Sequence, residues 1–396
     1  MGAVATVVTG VLVATGGLLL PTGALTSGES VRPHARYHHH RHHHHGHHHR
    51  PAGSATAKPS GSTSTITSTP RPGPTRTVTR TTTTNPTGST PATTGPGPSK
   101  PADLGGFGTG IYMGNYSADT AKSSLGFTQQ YTTMYLPAAS VSTPNISKVE
   151  AELRSGTTPI MDLEFKTGPF TMAQIAAWGP EVQAYFKTFV DGLNTLTDYA
   201  AKLDNGTQVI LSINHEAVVK INQSKYTFSK YHGGQPTIAD SAAAWNQAMS
   251  YVAKNAPDVV RLYWYGGSGR NENTYANALR PGLIQAASFD PYRWSHNRSS
   301  DTAQDLWGSK VSSLKSQSWM KNADGTLKPW GLTEWGTDAD FGDASNATFV
   351  KGALSFLRDQ GATFAVYFNR KSGPNDFVIT DGRQPKTVAA YKAAAH

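Results

Sequence analysis

The chain has 396 residues, with 35 Lys+Arg against 26 Asp+Glu and no cysteine. Without cysteine there are no disulfides, no thiol catalysis and no Cys-ligated zinc or iron–sulfur centres. The formal charge of +9 sits in a tail: residues 1–100 hold nine of the basic residues and one acidic residue, Glu29. Residues 101–396 are nearly neutral, which argues against a nucleic-acid-binding face.

Residues 1–26 are apolar or small and uncharged. A run of about 20 such residues suits the hydrophobic core of a signal peptide or a membrane anchor, and we assign residues 1–30 to that role. The basic start of an ordinary signal peptide is missing. Residues 37–50 read YHHHRHHHHGHHHR, and 11 of the 15 histidines lie between His34 and His49. Imidazoles at this density bind transition metals loosely, but the tract encodes no ligand geometry and also reads as a compositional spacer. From Pro51 to Lys100, 38 of 50 residues are Ser, Thr, Pro or Gly. Such a segment buries too little apolar surface to offset its ordering entropy, so residues 31–104 are expected to form a disordered tether. Export segment plus tether predicts a secreted protein, or a domain associated with a cell-wall or membrane surface and held away from it by the tether.

The texture changes after Lys100, and residues 105–396 form the expected folded domain. Short apolar strands are predicted at Gly110–Gly114, Gln130–Pro137 and Thr158–Phe165, with a short helix at Lys148–Arg154. A long helix follows from Ala173 to about Leu203. Alternation is then regular: strand Gln208–Asn214 and helix Ser241–Lys254, strand Val259–Tyr265 and helix Thr274–Leu279, strand Leu283–Phe289 and helix Thr302–Trp319. Strand Trp330–Glu334 with helix Ala347–Gln360, then strand Ala362–Phe368 with helix Lys386–Ala394, close the chain. Eight near-continuous apolar strands, most followed by a helix, fit an α/β fold of the (β/α)8 TIM-barrel type. A doubly wound open sheet is the competing arrangement. In a barrel, the C-terminal strand ends surround the active site.

Two of those ends carry glutamates. The fourth strand ends in Asn214-His215-Glu216, and the seventh in Glu334-Trp335-Gly336. A charge directly after a strong strand is costly unless it is solvated, paired or functional. Two carboxylates across a barrel mouth are the apparatus of glycosidic bond cleavage, one donating a proton and the other attacking or stabilising the anomeric carbon. Either Glu alone reads equally well as an ordinary solvated loop residue. Aromatic residues accompany them: Tyr112 on the first strand, Trp264 and Tyr265 on the fifth, and Tyr292 and Trp294 after the sixth. Such rings suit the flat C–H faces of sugars, although core packing is the plainer explanation for any one of them.

These segments resemble a retaining glycoside hydrolase of the large (β/α)8 clan, and most closely glycoside hydrolase family 26, the β-mannanases and related enzymes. The resemblance rests on His215-Glu216, on Leu332-Thr333-Glu334-Trp335-Gly336, on the approach YANALRPG into SFDPY with Asp290 and Tyr292, and on VYFN at the last strand. It implies that Glu216 is the acid/base, that Glu334 is the nucleophile, and that Tyr292 hydrogen-bonds the nucleophile. His215, Trp264, Tyr265, Asp290, Tyr292, Trp294, Trp335 and Tyr112 are the expected substrate contacts. One departure bears on specificity: Ala217-Val218-Val219-Lys220 follows the acid/base, where mannanases of the family carry an aromatic stretch.

The expected activity is therefore retaining hydrolysis of a β-linked polysaccharide, β-1,4-mannan by resemblance. A non-catalytic, carbohydrate-binding or cell-wall-associated barrel is the alternative. Asp162 and Glu164, on the third strand, are expected to contact substrate or form salt bridges. The reading calls for no metal or other cofactor, no nucleic-acid partner and no second subunit.

Overall fold

Eight parallel strands alternate with helices in the computed structural model, which describes residues 101–395 except 115–121, 124, 127, 139–144, 166–167, 224–234 and 267–270. The expectations for the export segment, the His tract and the tether through Lys100 lie outside the described residues. The barrel strands are β1 (Gly108–Tyr112), β2 (Tyr131–Pro137), β3 (Thr158–Glu164), β4 (Ile210–Ile213), β5 (Val260–Trp264), β6 (Ala286–Phe289), β7 (Trp330–Thr337) and β8 (Phe364–Phe368). Parallel pairing runs unbroken from β2 through β3, β4, β5, β6, β7 and β8 to β1. This is a (β/α)8 TIM barrel, and the open-sheet alternative falls.

Closure between β2 and β1 uses side chains where a main-chain ladder would otherwise run. Gln130 N donates to Thr109 O at 2.9 Å. The Oε1 atoms of Gln130 and Gln129 accept from the N–H groups of Thr109 (2.9 Å) and Ile111 (3.0 Å). Gly110 permits the approach, since a Cβ there would lie 1.8 Å from Tyr131 O.

Period-two alternation sorts the strand residues into two cores. Inside the barrel, Tyr112, Tyr131, Ile160, Ile210, Val260, Leu262, Trp264, Phe364 and Val366 pack together. Their neighbours along each strand, such as Met161, Leu163, Leu211, Tyr263 and Tyr367, pack outward against the helices. Burial on both faces explains why the strands read as continuous apolar runs.

The helices are α1 (Ile146–Arg154), α2 (Met172–Ala177), α3 (Pro180–Leu203), α4 (Ala217–Asn222), α5 (Ile238–Asn255), α6 (Glu272–Ala278), α7 (Ala303–Ser316), α8 (Asp343–Asp359) and α9 (Pro385–Ala394). Thr171, Thr237 and Thr302 open α2, α5 and α7 with reciprocal capping boxes to Gln174, Asp240 and Asp305. The single helix expected from Ala173 to Leu203 is two helices. Trp178 ends the first in a left-handed conformation (φ 54°), and Pro180 starts the second. The last strand residues were also placed differently: β7 continues past Glu334 to Thr337. Among the described residues, no helix is long and apolar enough to cross a membrane.

Candidate functional site

The C-terminal strand ends gather most of the residues singled out in the sequence. After β4 the chain turns sharply, with both Asn214 (φ 56°) and Glu216 (φ 50°) in the left-handed region. Asn214 tolerates this, and its Oδ1 accepts from Phe165 N at 2.7 Å. A glutamate gains nothing comparable: Glu216 caps α4 without a side-chain cap bond. Left-handed backbone at a non-glycine residue costs of order 1–3 kcal/mol and persists where the surroundings impose it, a pattern concentrated at functional sites.

Across the mouth, a β-bulge sets Glu334. Leu332 pairs with Ala365 and Trp335 with Tyr367, so Thr333 and Glu334 together face a single residue of β8. The extra residue re-aims the strand. Thr333 points into the barrel, where its Oγ1 donates to Asp290 Oδ1 (3.1 Å) and lies within hydrogen-bond distance of Ser288 Oγ (2.9 Å). Glu334 also meets interior groups: its two carboxylate oxygens accept from the hydroxyls of Tyr135 and Tyr292 respectively. Burial pushes its carboxyl up to about 8.

The same bulge returns Trp335 to the outer face. Trp335 is fully buried among Trp307, Tyr367 and Tyr391. The expectation that it contacts substrate is corrected. Tyr265 is corrected for a related reason: one residue beyond Trp264, it faces outward and packs on Tyr263 and Trp319. The remaining aromatics line the mouth. Tyr112 stacks on Phe368 (centroids 5.5 Å apart, planes at 9°) and meets Tyr135 edge-on at 5.2 Å. Trp264 lies 4.8 Å from His215, and Tyr292 lies 4.9 Å from Trp294 and 4.8 Å from Phe377. Asp290 accepts from Trp264 Nε1. Burial raises its carboxyl well above the usual range, and the charge of Glu216 adds to the rise.

His215 belongs to a charge-balanced cluster. Its Nδ1 lies 2.6 Å from Asp162 Oδ2 and 2.7 Å from Glu164 Oε1, and its backbone N donates to Asp162 Oδ1 at 3.0 Å. Lys220 Nζ reaches Glu164 Oε1 at 2.5 Å and His215 Nε2 at 2.9 Å. Burial and the Lys220 ammonium oppose protonation of His215, but the two carboxylates outweigh them and push its pKa up to about 9. Burial would raise Glu164, yet His215 and Lys220 hold it well below the ordinary carboxylate range. Asp162, Glu164 and His215 each offer a metal-ligand atom within 4.8 Å of the others. The Lys220 ammonium, ion-paired with Glu164, already supplies a cation to this cluster.

Sequence reasoning missed Lys220 and Tyr135. Lys220 lies four residues after Glu216, one helical turn on, and Tyr135 ends an inward-facing period-two row from Tyr131. The strand row was present in the sequence; the helical turn was not marked by any period.

No protein-family model matches the chain, and no curated protein does. Solved structures do resemble it. The catalytic domain of the family 26 endo-β-1,4-mannanase of Bacillus sp. JAMB-750 aligns with a TM-score of 0.51 at 11% identity, over 73% of this chain and 85% of that one. A family 39 glycoside hydrolase from Bacteroides cellulosilyticus WH2 aligns at 0.46 and 15% identity, over 74% of this chain and 64% of that one. A family 5 xyloglucanase from Paenibacillus pabuli aligns at 0.45 and 12% identity, over 74% of this chain and 99% of that one. These likenesses are of fold. The chain is a (β/α)8 barrel, and the solved structures similar to it come from several glycoside hydrolase families.

Proposed function

We propose that the protein is a retaining glycoside hydrolase acting on a β-linked polysaccharide, with Glu216 as acid/base and Glu334 as nucleophile. The observation that carries this reading is the placement of Glu334: a bulge aims it into an aromatic mouth, where two tyrosine hydroxyls fix both carboxylate oxygens. Glu216 stands at the end of β4, close enough for its charge to bear on Asp290 and Tyr292.

Glu216 protonates the leaving oxygen while Glu334 attacks the anomeric carbon. A glycosyl-enzyme results, and Glu216, now ionised, deprotonates the water that hydrolyses it. Retention requires the two carboxyl groups to stand about 5–5.5 Å apart across the bound sugar. The Tyr135 and Tyr292 donors orient Glu334 and favour its ionised form. Tyr112, Trp264, Trp294 and Phe368 supply stacking faces. A mannan is the substrate favoured by the sequence resemblance, and the tail supports export to the cell surface.

One observation favours a second reading, a barrel that binds glycan without cleaving it. A carboxyl raised to about 8 is mostly protonated at neutral pH and cannot attack. The two readings separate on a panel of mannans, xylans and β-glucans. The hydrolase reading expects reducing ends from one of them, abolished in Glu216→Ala and Glu334→Ala. Binding without release by wild type supports the alternative.

A further inference from the structure

The inward-facing row of β2 carries a hydroxyl deep in the barrel. Tyr131, Thr133 and Tyr135 alternate with Met134 and Leu136, which pack outward against the helices. Thr133 is fully buried. A valine of the same shape would suit a core that also holds Ile160, Ile210, Val260 and Val366. A hydroxyl in such surroundings is costly unless it is hydrogen-bonded, so its partner matters.

That partner is the main chain of the bulge. Thr133 Oγ1 donates to the Thr333 carbonyl oxygen at 2.8 Å. In a regular ladder a carbonyl points along the sheet to the adjacent strand. β2 is not adjacent to β7, since β1 and β8 lie between them. The Thr333 carbonyl is therefore turned out of the sheet and into the barrel, within the stretch where the β7–β8 register shifts between Leu332 and Trp335. A bulge leaves its extra residue unpaired, and a buried carbonyl freed from the ladder needs a donor from elsewhere.

Two members of the β2 row thus grip two consecutive residues of β7. Thr133 takes the Thr333 carbonyl, and Tyr135 donates to the Glu334 carboxylate. From the β6 side, Asp290 accepts from the Thr333 hydroxyl and Tyr292 donates to the second Glu334 oxygen. The two tyrosines hold the carboxylate; Thr133 holds the backbone from which it projects. We propose that Thr133 is a positioning residue for Glu334, its hydroxyl fixing the bulge that aims the nucleophile into the mouth. The proposal rests on the reading of Glu334 as the nucleophile.

Thr133→Val keeps the shape and removes the donor, while Thr133→Ser keeps the donor and removes a methyl group. On the polymer that wild type cleaves, Thr133→Val should lower kcat by about thirtyfold or more with KM within about threefold, because the nucleophile is misplaced while the stacking faces stay. Thr133→Ser should stay within about threefold of wild type in both constants. A Val variant that keeps its kcat, or equal losses in Val and Ser, would mean that the side chain only fills space and would overturn the proposal. Should Thr133→Val fail to melt cooperatively, Thr133→Ala against Thr133→Ser, which differ by the hydroxyl alone, makes the same comparison. A crystal structure of Thr133→Val does not depend on turnover. It should show the Thr333 carbonyl rotated and the bond from Tyr135 or Tyr292 to Glu334 broken. Both bonds intact would overturn the positioning role, even if the protein cleaves no glycan and the hydrolase reading has already failed.

Discussion

Two regions of the barrel mouth treat buried charge in opposite ways. At the β3–β4 side, Asp162, Glu164, His215 and Lys220 place two carboxylates against two bases within direct contact. At the β6–β7 side, Asp290 and Glu334 receive hydroxyl and indole donors among the described residues, and both are raised by burial. Paired charges settle into a fixed framework. Unpaired carboxyls in a desolvated site keep a proton affinity that chemistry can use, at a cost in stability. On the proposed reading, the first region positions the end of β4 that carries Glu216, and the second holds the nucleophile.

The contrast breaks most decisively at Glu334. Glu334→Ala should lower kcat/KM by at least about a thousandfold, roughly 4 kcal/mol of barrier, while the protein still melts cooperatively. On the paired side the loss should be in stability. Lys220→Met leaves Glu164 buried beside Asp162 with one cationic partner fewer, and denaturant unfolding should report a loss of about 3–5 kcal/mol. Tyr135→Phe and Tyr292→Phe each remove one charge-directed hydrogen bond from Glu334 and should each cost about 1.5–3 kcal/mol of barrier, read as kcat/KM.

The response to pH divides by group and not by side: His215 and Glu334 lose stabilisation as pH rises, Glu164 as it falls. His215, raised from 6.5 to about 9, contributes stability that is fully present below pH 6.5 and lost as pH rises through 9. Glu164, held low, contributes stability present above its ordinary 4.5 and lost as pH falls through its depressed value. Glu334 is a carboxyl raised above 4.5, so its contribution is present below 4.5 and is lost as pH climbs toward 8. Glu334→Gln should therefore melt a few degrees above wild type on the alkaline side of 8 and near wild type on the acid side of 4.5, as calorimetry would show.

The barrel was legible because its strands are buried on both faces, which leaves continuous apolar runs such as VVRLYWY and ATFAVYF in the chain. The two glutamates were legible because each breaks such a run. What stayed hidden lay in a bulge, in an alternation read as a pair, and in helices that are broken or short. Nothing in LTEWG marks the bulge that aims Glu334 inward and Trp335 outward, so both were expected at the mouth. Tyr265 adjoins Trp264 in sequence, yet alternation puts them on opposite faces of β5, and treating them as a pair overlooked that. The break at Trp178 carried a signal in Gly179-Pro180, which the helical period masked. Lys220 joined the cluster only once the turn after β4 started α4, a six-residue helix too short to announce itself by periodicity.

The central claim is that Glu334 bonds covalently to the sugar. Incubation with 2-deoxy-2-fluoro glycosides of the polymer that the protein cleaves, followed by peptide mass spectrometry, tests it most directly. The account predicts one glycosyl adduct per chain, on Glu334, absent in Glu334→Gln. Hydrolysis with inverted anomeric configuration and no adduct, or an adduct on another carboxylate, would contradict it.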